Sequence, residues 1–251
     1  NHSATTYIYT ITLHDALPIL RLDKYLSIAG MGSRKDVKKI IRQKRVKING
    51  AVSVDDDVHI DPYTDQIWVD DQILEVVLDV YIMLNKPQGV VSATNDELHK
   101  TVLECIEYTL PPGCFPVGRL DIDTEGLLLI TNDGELSHRL LSPKRKVDKV
   151  YYVECRDIID EKTVDKLQSG VDIDDETLTL PAQVELLSEI SMNLTIREGR
   201  YHQVKRMLSA CGNQVTYLKR IKMGPLSLDD DLALGSWRFL SETEVEQLKK
   251  G

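Results

Sequence analysis

An α+β fold in two parts is what this sequence predicts. A small basic N-terminal unit precedes a larger domain built on a mostly antiparallel mixed sheet. Three observations point there. Hydrophobic residues make up 42% of the 251, enough for a substantial core and too many for a disordered chain. Apolar runs of strand length mix with helical patterns but never settle into regular strand–helix–strand alternation, which disfavours a doubly wound sheet. Charge is also segregated. The net charge is −9, yet residues 21–50 hold ten Lys/Arg against two Asp, a local +8 that leaves −17 for the rest. A basic block on an acidic chain marks a dedicated polyanion surface.

Taken in order, residues 1–19 (NHSATTYIYTITLHDALPI) look foreign to the rest of the chain and are expected to pack poorly. They carry no basic stretch and no continuous apolar stretch, so no signal peptide is expected. From residue 20 to about 66 the chain reads as one compact unit. Leu22, Tyr25, Leu26 and Ile28 suit a short helix ending at Gly30. Ser33 followed by Asp36 resembles a capping box that opens a second helix. Val37, Ile40 and Ile41 share one face of that helix, and Lys35, Lys38, Lys39 and Arg42 take the others. Val46 to Ile48 reads as a strand entering a tight turn at Asn49-Gly50.

A charge run is ordinarily a solvated helix face. Here one sign dominates ten to two, so Arg34, Lys35, Lys38, Lys39, Arg42, Lys44 and Arg45 are assigned to nucleic-acid contact. The strings RLDKYLS, SRKDVKKII and VKINGAVSVDDDVHI resemble the S-four-like RNA-binding domain over about 45 residues. That resemblance implies binding to structured RNA without naming the RNA. Residues 67–79 read as the last strand of this unit and a linker, and a second domain is expected over residues 80–249.

In that second domain the runs at 80–84, 127–130, 150–153 and 194–196 read as strands. Helical patterns fall near 100–107, 134–141, 160–168, 201–211 and 241–249. No apolar run approaches the roughly 18 residues of a membrane span. The four cysteines form no CxxC pair, the six histidines show no metal spacing, and there is no phosphate-cradling glycine loop. No metal or cofactor is therefore expected, and a reduced, cytoplasmic setting fits.

Four segments of the second domain carry chemistry. The first is NKPQG at 85–89, where Lys86 suits a phosphate contact or a plain turn equally. The second is GRLDIDTEG at 118–126, where Asp121 stands beside Arg119 and ahead of an apolar run. A carboxylate there suits a nucleophile, a base or a turn residue. The third is the basic run 144–149 leading to Tyr151, and the fourth is REGRYHQVKRM at 197–207. Residues 139–149 hold five Lys/Arg against one Asp, and residues 197–222 seven against one Glu. Salt-sensitive binding to a phosphate backbone is expected of such clusters. Tyr151 and Tyr201 are interleaved aromatics able to stack on unpaired bases.

The strings GRLDIDTEGLLLITNDGELSHRLLSPK, KVYYVE and LTIREGRYHQVKRML resemble the RsuA-type ribosomal RNA pseudouridine synthases from about Arg21 to Leu248, and GVDIDDETLTLPAQVELL is closest to the small-subunit branch. The resemblance implies isomerisation of a uridine in place, without cofactor. It places Asp121 at the catalytic aspartate, Tyr151 at a tyrosine against the target base, and Lys205 at the basic partner of the carboxylate. Ile196 falls at a pocket-lining position. Arg119, Arg200, His202 and Gln203 become expected RNA contacts, while Asp123 and Glu125 keep the reading of plain turn residues. The target base must be flipped out of its stack, at a few kcal/mol.

The expected partner is ribosomal RNA or a subunit-assembly intermediate, bound by a monomer. Two rivals stay open at this point: a non-catalytic RNA-binding assembly protein, and a magnesium-dependent phosphate-transferring enzyme. Within the resemblance itself, large-subunit RNA stands beside small-subunit RNA as target.

Overall fold

The structure is a computed structural model. It describes residues 7–8, 19–62, 64–74, 76–77, 79–108, 110–111 and 113–250. It divides into two compact units, residues 1–80 with 108–113, and residues 81–107 with 114–251. Most of the N-terminal segment expected to pack poorly lies outside the described residues. Within it, β1 (Tyr7–Ile8) pairs in parallel with β8 (Val76–Val77).

In the first unit β2 (Leu20–Arg21) leads into α1 (Leu22–Ile28) and α2 (Arg34–Arg42). α2 starts as expected: the Ser33 hydroxyl accepts from the Asp36 amide at 3.4 Å and donates to the Asp36 carboxylate at 2.5 Å. β3 (Val46–Ile48), β4 (Ala51–Val52), β6 (Ile67–Val69) and β7 (Gln72–Ile73) form an antiparallel sheet, and β5 (His59–Ile60) pairs with β2. Leu22, Tyr25, Leu26, Val37, Ile41, Val46, Ile60 and Ile67 are nearly fully buried between helices and sheet. Residues 67–79, read as the last strand of this unit and a linker, supply two short strands. β6 and β7 are hydrogen-bonded members of this sheet, and Leu74 belongs to its core. Ile67 and Val69 point inward around the half-buried Trp68, so burying them favours the sheet over a free connection.

The second unit is organised on one sheet. Its path runs β13 (Gln183–Leu186), β14 (Ser191–Ile196), β12 (Lys149–Cys155), β15 (Val215–Met223), β11 (Glu125–Thr131), β9 (Tyr81–Lys86) and β17 (Trp237–Phe239). β10 (Phe115–Pro116) joins at β11 and β16 (Leu226–Ser227) at β15. Among the described residues its pairings are antiparallel except β11 with β15. The α+β reading therefore holds. β9 and β11 are buried on both faces, which explains why they read as continuous apolar runs rather than alternating ones. α3 (Gly134–Leu141) and α6 (Glu242–Lys250) cover one side through Leu136, Leu140, Val245 and Leu248. α4 (Glu161–Ser169) and α5 (Gln203–Ala210) complete the domain, and residues 103–105 make a single helical turn where a longer helix was expected. No described helix is long and apolar enough to cross a membrane.

Candidate active site

The Asp121 turn lies just ahead of β11, where Glu125 and Gly126 pair in parallel with Lys219 and Arg220 of β15. Residues 121–124 close a turn in which the Thr124 amide donates to the Asp121 carbonyl at 3.0 Å. The Ser92 hydroxyl donates to the Leu120 carbonyl at 2.9 Å, and the Gly89 amide donates to the Ile122 carbonyl at 2.8 Å. Beneath the turn lies Lys86, fully buried at the end of β9. Its ammonium donates to the carbonyls of Asp121 and Thr124 at 2.9 Å each and of Pro87 at 3.1 Å. Neither reading of Lys86 from the sequence describes this. The side chain meets no open surface; it braces the turn from inside.

Burial pushes the Lys86 ammonium down to about 8, against the pull of Asp123 and Asp121. The unfolded chain therefore holds more protons between pH about 8 and 10.5, and this group's contribution to stability rises with pH across that window. Lys86→Met removes that slope, a difference that thermal melts at pH 8, 9 and 10 will show. It also takes the lysine donor from the Thr124 carbonyl, at about 1–3 kcal/mol, so the variant is less stable at pH 7.

The Asp121 carboxylate opens onto a cleft of about 840 Å³ in the second unit, within the range of small-ligand sites. Lys205, in the first turn of α5, reaches it at 3.0 Å. The same ammonium reaches Asp123 at 2.5 Å. The sequence left Asp123 as a plain turn residue. In the fold it is the second carboxylate on one lysine. Burial would raise the Asp123 carboxyl, but the hydrogen bond and charge of Lys205 outweigh it and hold it below the ordinary value. Burial likewise lowers Lys205, and the bonds to Asp123 and Asp121 more than offset it, so its proton is held more firmly. Glu125 faces away from this cluster and accepts from the Tyr217 hydroxyl at 2.6 Å.

His202 caps α5 in the left-handed conformation, at φ 47°. Its Nε2 lies 3.4 Å from Asp121, and its ring stacks on exposed Tyr201 at 3.8 Å. The N-terminus of α5 thus faces the carboxylate, where its partial positive charge favours an anion. Tyr151, Ile196 and exposed Arg119 line the same cleft. Asp121, Tyr151, Lys205, Arg119, Ile196 and His202 therefore meet in one place, although the chain holds them far apart.

Arg200 and Gln203 border the same cleft, but their polar groups are engaged within the protein. The Arg200 guanidinium is occupied by the carbonyls of Thr177 and Leu178 at 2.6 and 2.7 Å and by Glu198 at 3.0 Å. Buried Gln203 donates to Glu198 at 2.8 Å and accepts from the Arg200 amide at 3.0 Å. Both fasten the loop that carries His202 and leave their polar groups turned toward protein. Their motif looks like a basic surface because sequence does not show which carbonyls will surround a guanidinium.

In the first unit the basic face is narrower than its charge count. Lys38 pairs with Asp56 at 2.7 Å, Lys39 with Asp36 at 3.7 Å, and Arg45 with Asp70. Arg34, Lys35, Arg42 and Lys44 are exposed and make no ion pair among the described residues.

The comparisons with known proteins identify the class. Residues 80–210 match the pattern of the RNA pseudouridylate synthases, and residues 20–53 match the S4 domain. The chain belongs to the RNA pseudouridylate synthase family, whose members isomerise uridine within RNA. Among its relatives, an uncharacterized RNA pseudouridine synthase of Bacillus subtilis (strain 168) is 45% identical over 92% of this chain and 99% of its own length. Ribosomal small subunit pseudouridine synthase A of Haemophilus influenzae is 41% identical over 92% of this chain and 100% of its own. A crystal structure of a pseudouridylate synthase superposes with a TM-score of 0.65 at 40% identity, covering 91% of this chain and 99% of that one. These likenesses place the chain with the RsuA-type enzymes.

Proposed function

We propose that the chain converts one uridine of small-subunit ribosomal RNA to pseudouridine, with Asp121 as the reacting carboxylate. One observation carries the assignment of the residue: Asp121 is held at 3.0 Å by a lysine 84 positions away, at the mouth of a cleft. That cation is half-buried and comes from another element, α5. In this reading Tyr151 packs against the flipped base, Ile196 lines its apolar side, and Arg119 holds the extruded nucleotide. The exposed cations Arg34, Lys35, Arg42 and Lys44 supply binding energy that offsets unstacking. The small-subunit target rests on the likeness to small-subunit enzymes over nearly the whole chain. We place the protein in the cytoplasm, acting as a monomer on ribosomal RNA or an assembly intermediate.

The test is incubation of the purified chain with small- and large-subunit RNA, without metal or nucleotide, followed by mapping of pseudouridine. One new site in small-subunit RNA is expected. A site only in large-subunit RNA moves the target, and none in either overturns the proposal. Lys205→Met provides a finer check. Losing the counter-charge lowers the single-turnover rate by about 10² while RNA affinity stays within about threefold. An unchanged rate would remove Lys205 from the mechanism.

A further inference from the structure

The floor of the cleft holds two cations that the proposed reaction has not yet used. Arg220 is 2% exposed and Lys149 7%, and both border the cleft. Neither makes an ion pair among the described residues. Arg220 donates through Nε to the Leu127 carbonyl at 2.8 Å, and its Nη2 has no hydrogen-bond partner. Lys149 donates to the Val147 carbonyl at 3.2 Å, and the nearby Asp148 is committed to Arg197 at 2.7 Å. Burial and the charge of Arg220 both push the Lys149 ammonium below its ordinary value. Two like charges buried at one cleft without an ion-pair partner among the described residues cost stability unless something anionic joins them.

Their placement depends on a break in the sheet. On β12, Val150 pairs with Lys222, but Tyr151 pairs with Arg220, so Ile221 is an extra residue on β15. Such a bulge re-aims the side chains beyond it. Here it turns Arg220 to the face of Tyr151, its cross-strand neighbour, where regular pairing would have put Ile221.

We propose that Arg220 and Lys149 form a cationic floor that receives the oxygen atoms of the pyrimidine ring and carries its negative charge while it is detached from the sugar. This rests on the reading of the cleft as the base pocket. When the N1–C1′ bond breaks, its electron pair stays on the ring, delocalised onto the ring oxygens. The ring then re-forms the bond to C1′ through C5, the C5 proton is lost to a base, and N1 gains one, so atoms and electrons balance. Fixed cations at that position act where charge develops, in a site with little water. The ring suits this floor better than a phosphate does. The surrounding Tyr151, Ile196 and Leu218 are flat or apolar, and an exposed cation for the backbone, Arg119, stands at the rim.

Binding of free uracil, 5-fluorouracil and ribose 5-phosphate to the full chain tests this. Uracil affinity falls about tenfold or more in Arg220→Met and in Lys149→Met, ribose 5-phosphate binding is unchanged, and Arg220→Lys recovers part of the loss. If the Met variants keep uracil affinity with an intact circular dichroism spectrum, or lose ribose 5-phosphate instead, the inference is wrong. A second readout needs no variant. Fluorine resonance of 5-fluorouracil bound to the wild-type chain shows the ring ionising at lower pH than the free base; ionisation at the same or higher pH overturns the cationic floor. Failure of the underlying reading looks different: uracil then either does not bind the wild type or binds Ile196→Arg as well as it binds the wild type.

Discussion

Asp121→Asn abolishes pseudouridine formation and leaves RNA binding nearly intact. The substitution keeps the shape of the side chain, and the turn is held through backbone atoms that it does not touch: the Asp121 carbonyl still accepts from Lys86 and from the Thr124 amide. Lys205 keeps Asp123 as an anionic partner at 2.5 Å, so the site does not acquire a wholly unpaired cation. What disappears is the negative charge and the nucleophilic or basic lone pair. Loss of such a group costs at least about 10³ in turnover. Single-turnover assays beside filter binding at one salt concentration read the two effects separately. Turnover within tenfold of wild type would show that Asp123, and not Asp121, is the reacting carboxylate.

Gly126→Ala is expected to be the most damaging change for the fold. A Cβ at residue 126 would lie 2.2 Å from the Arg220 carbonyl oxygen and 2.8 Å from the Arg220 nitrogen, and the backbone there sits at φ +103°. Those obstacles are main chain of the neighbouring strand, so a rotamer change cannot relieve them. Gly126 is also where β11 runs parallel to β15, paired with Arg220 itself. Strain and overpacking together cost about 3–5 kcal/mol. For a protein of this size that lowers the melting temperature by roughly 6–20 °C. Calorimetry at pH 7 provides the measurement, and a shift under about 3 °C would mean the strands part more easily than their geometry indicates. Activity falls as well, because separating the strands moves Arg220 and the turn that begins at Asp121.

Much of this protein could be read locally. The helices α2, α3, α4 and α6 obey caps and apolar spacing, and the buried strands β9 and β11 declare themselves as unbroken apolar runs. β15 was not legible as a strand, although it lies at the centre of the sheet. Its segment VTYLKRIKM carries four polar or charged side chains besides its tyrosine, and it reads as one more basic cluster. β13 and β17 hide for a related reason: they are short edge strands, β13 mostly exposed and β17 half-buried, with no strong alternation to reveal them. Of residues 67–79 only one strand was legible, because β6 and β7 are brief and only the pairing of β6 with β3 and of β7 with β6 shows both to be sheet.

Residue order alone was enough for the division into a basic unit and an α+β domain, the helix starts, the buried strands, and the motifs that single out Asp121, Tyr151 and Lys205. What each charge does emerged only in three dimensions. Lys86 and Lys205 look alike in the chain, yet one braces the turn from within and the other holds the carboxylate from α5. Arg200 and Arg220 are both arginines in basic segments, but one ties a loop and the other lies under the cleft. Asp123 became a second partner of Lys205 through contact across 82 positions. Periodicity and capping act over a few residues and set which face a side chain takes, whereas strand register sets the partner of a charge. A single extra residue at Ile221 is enough to turn Arg220 to the face of Tyr151.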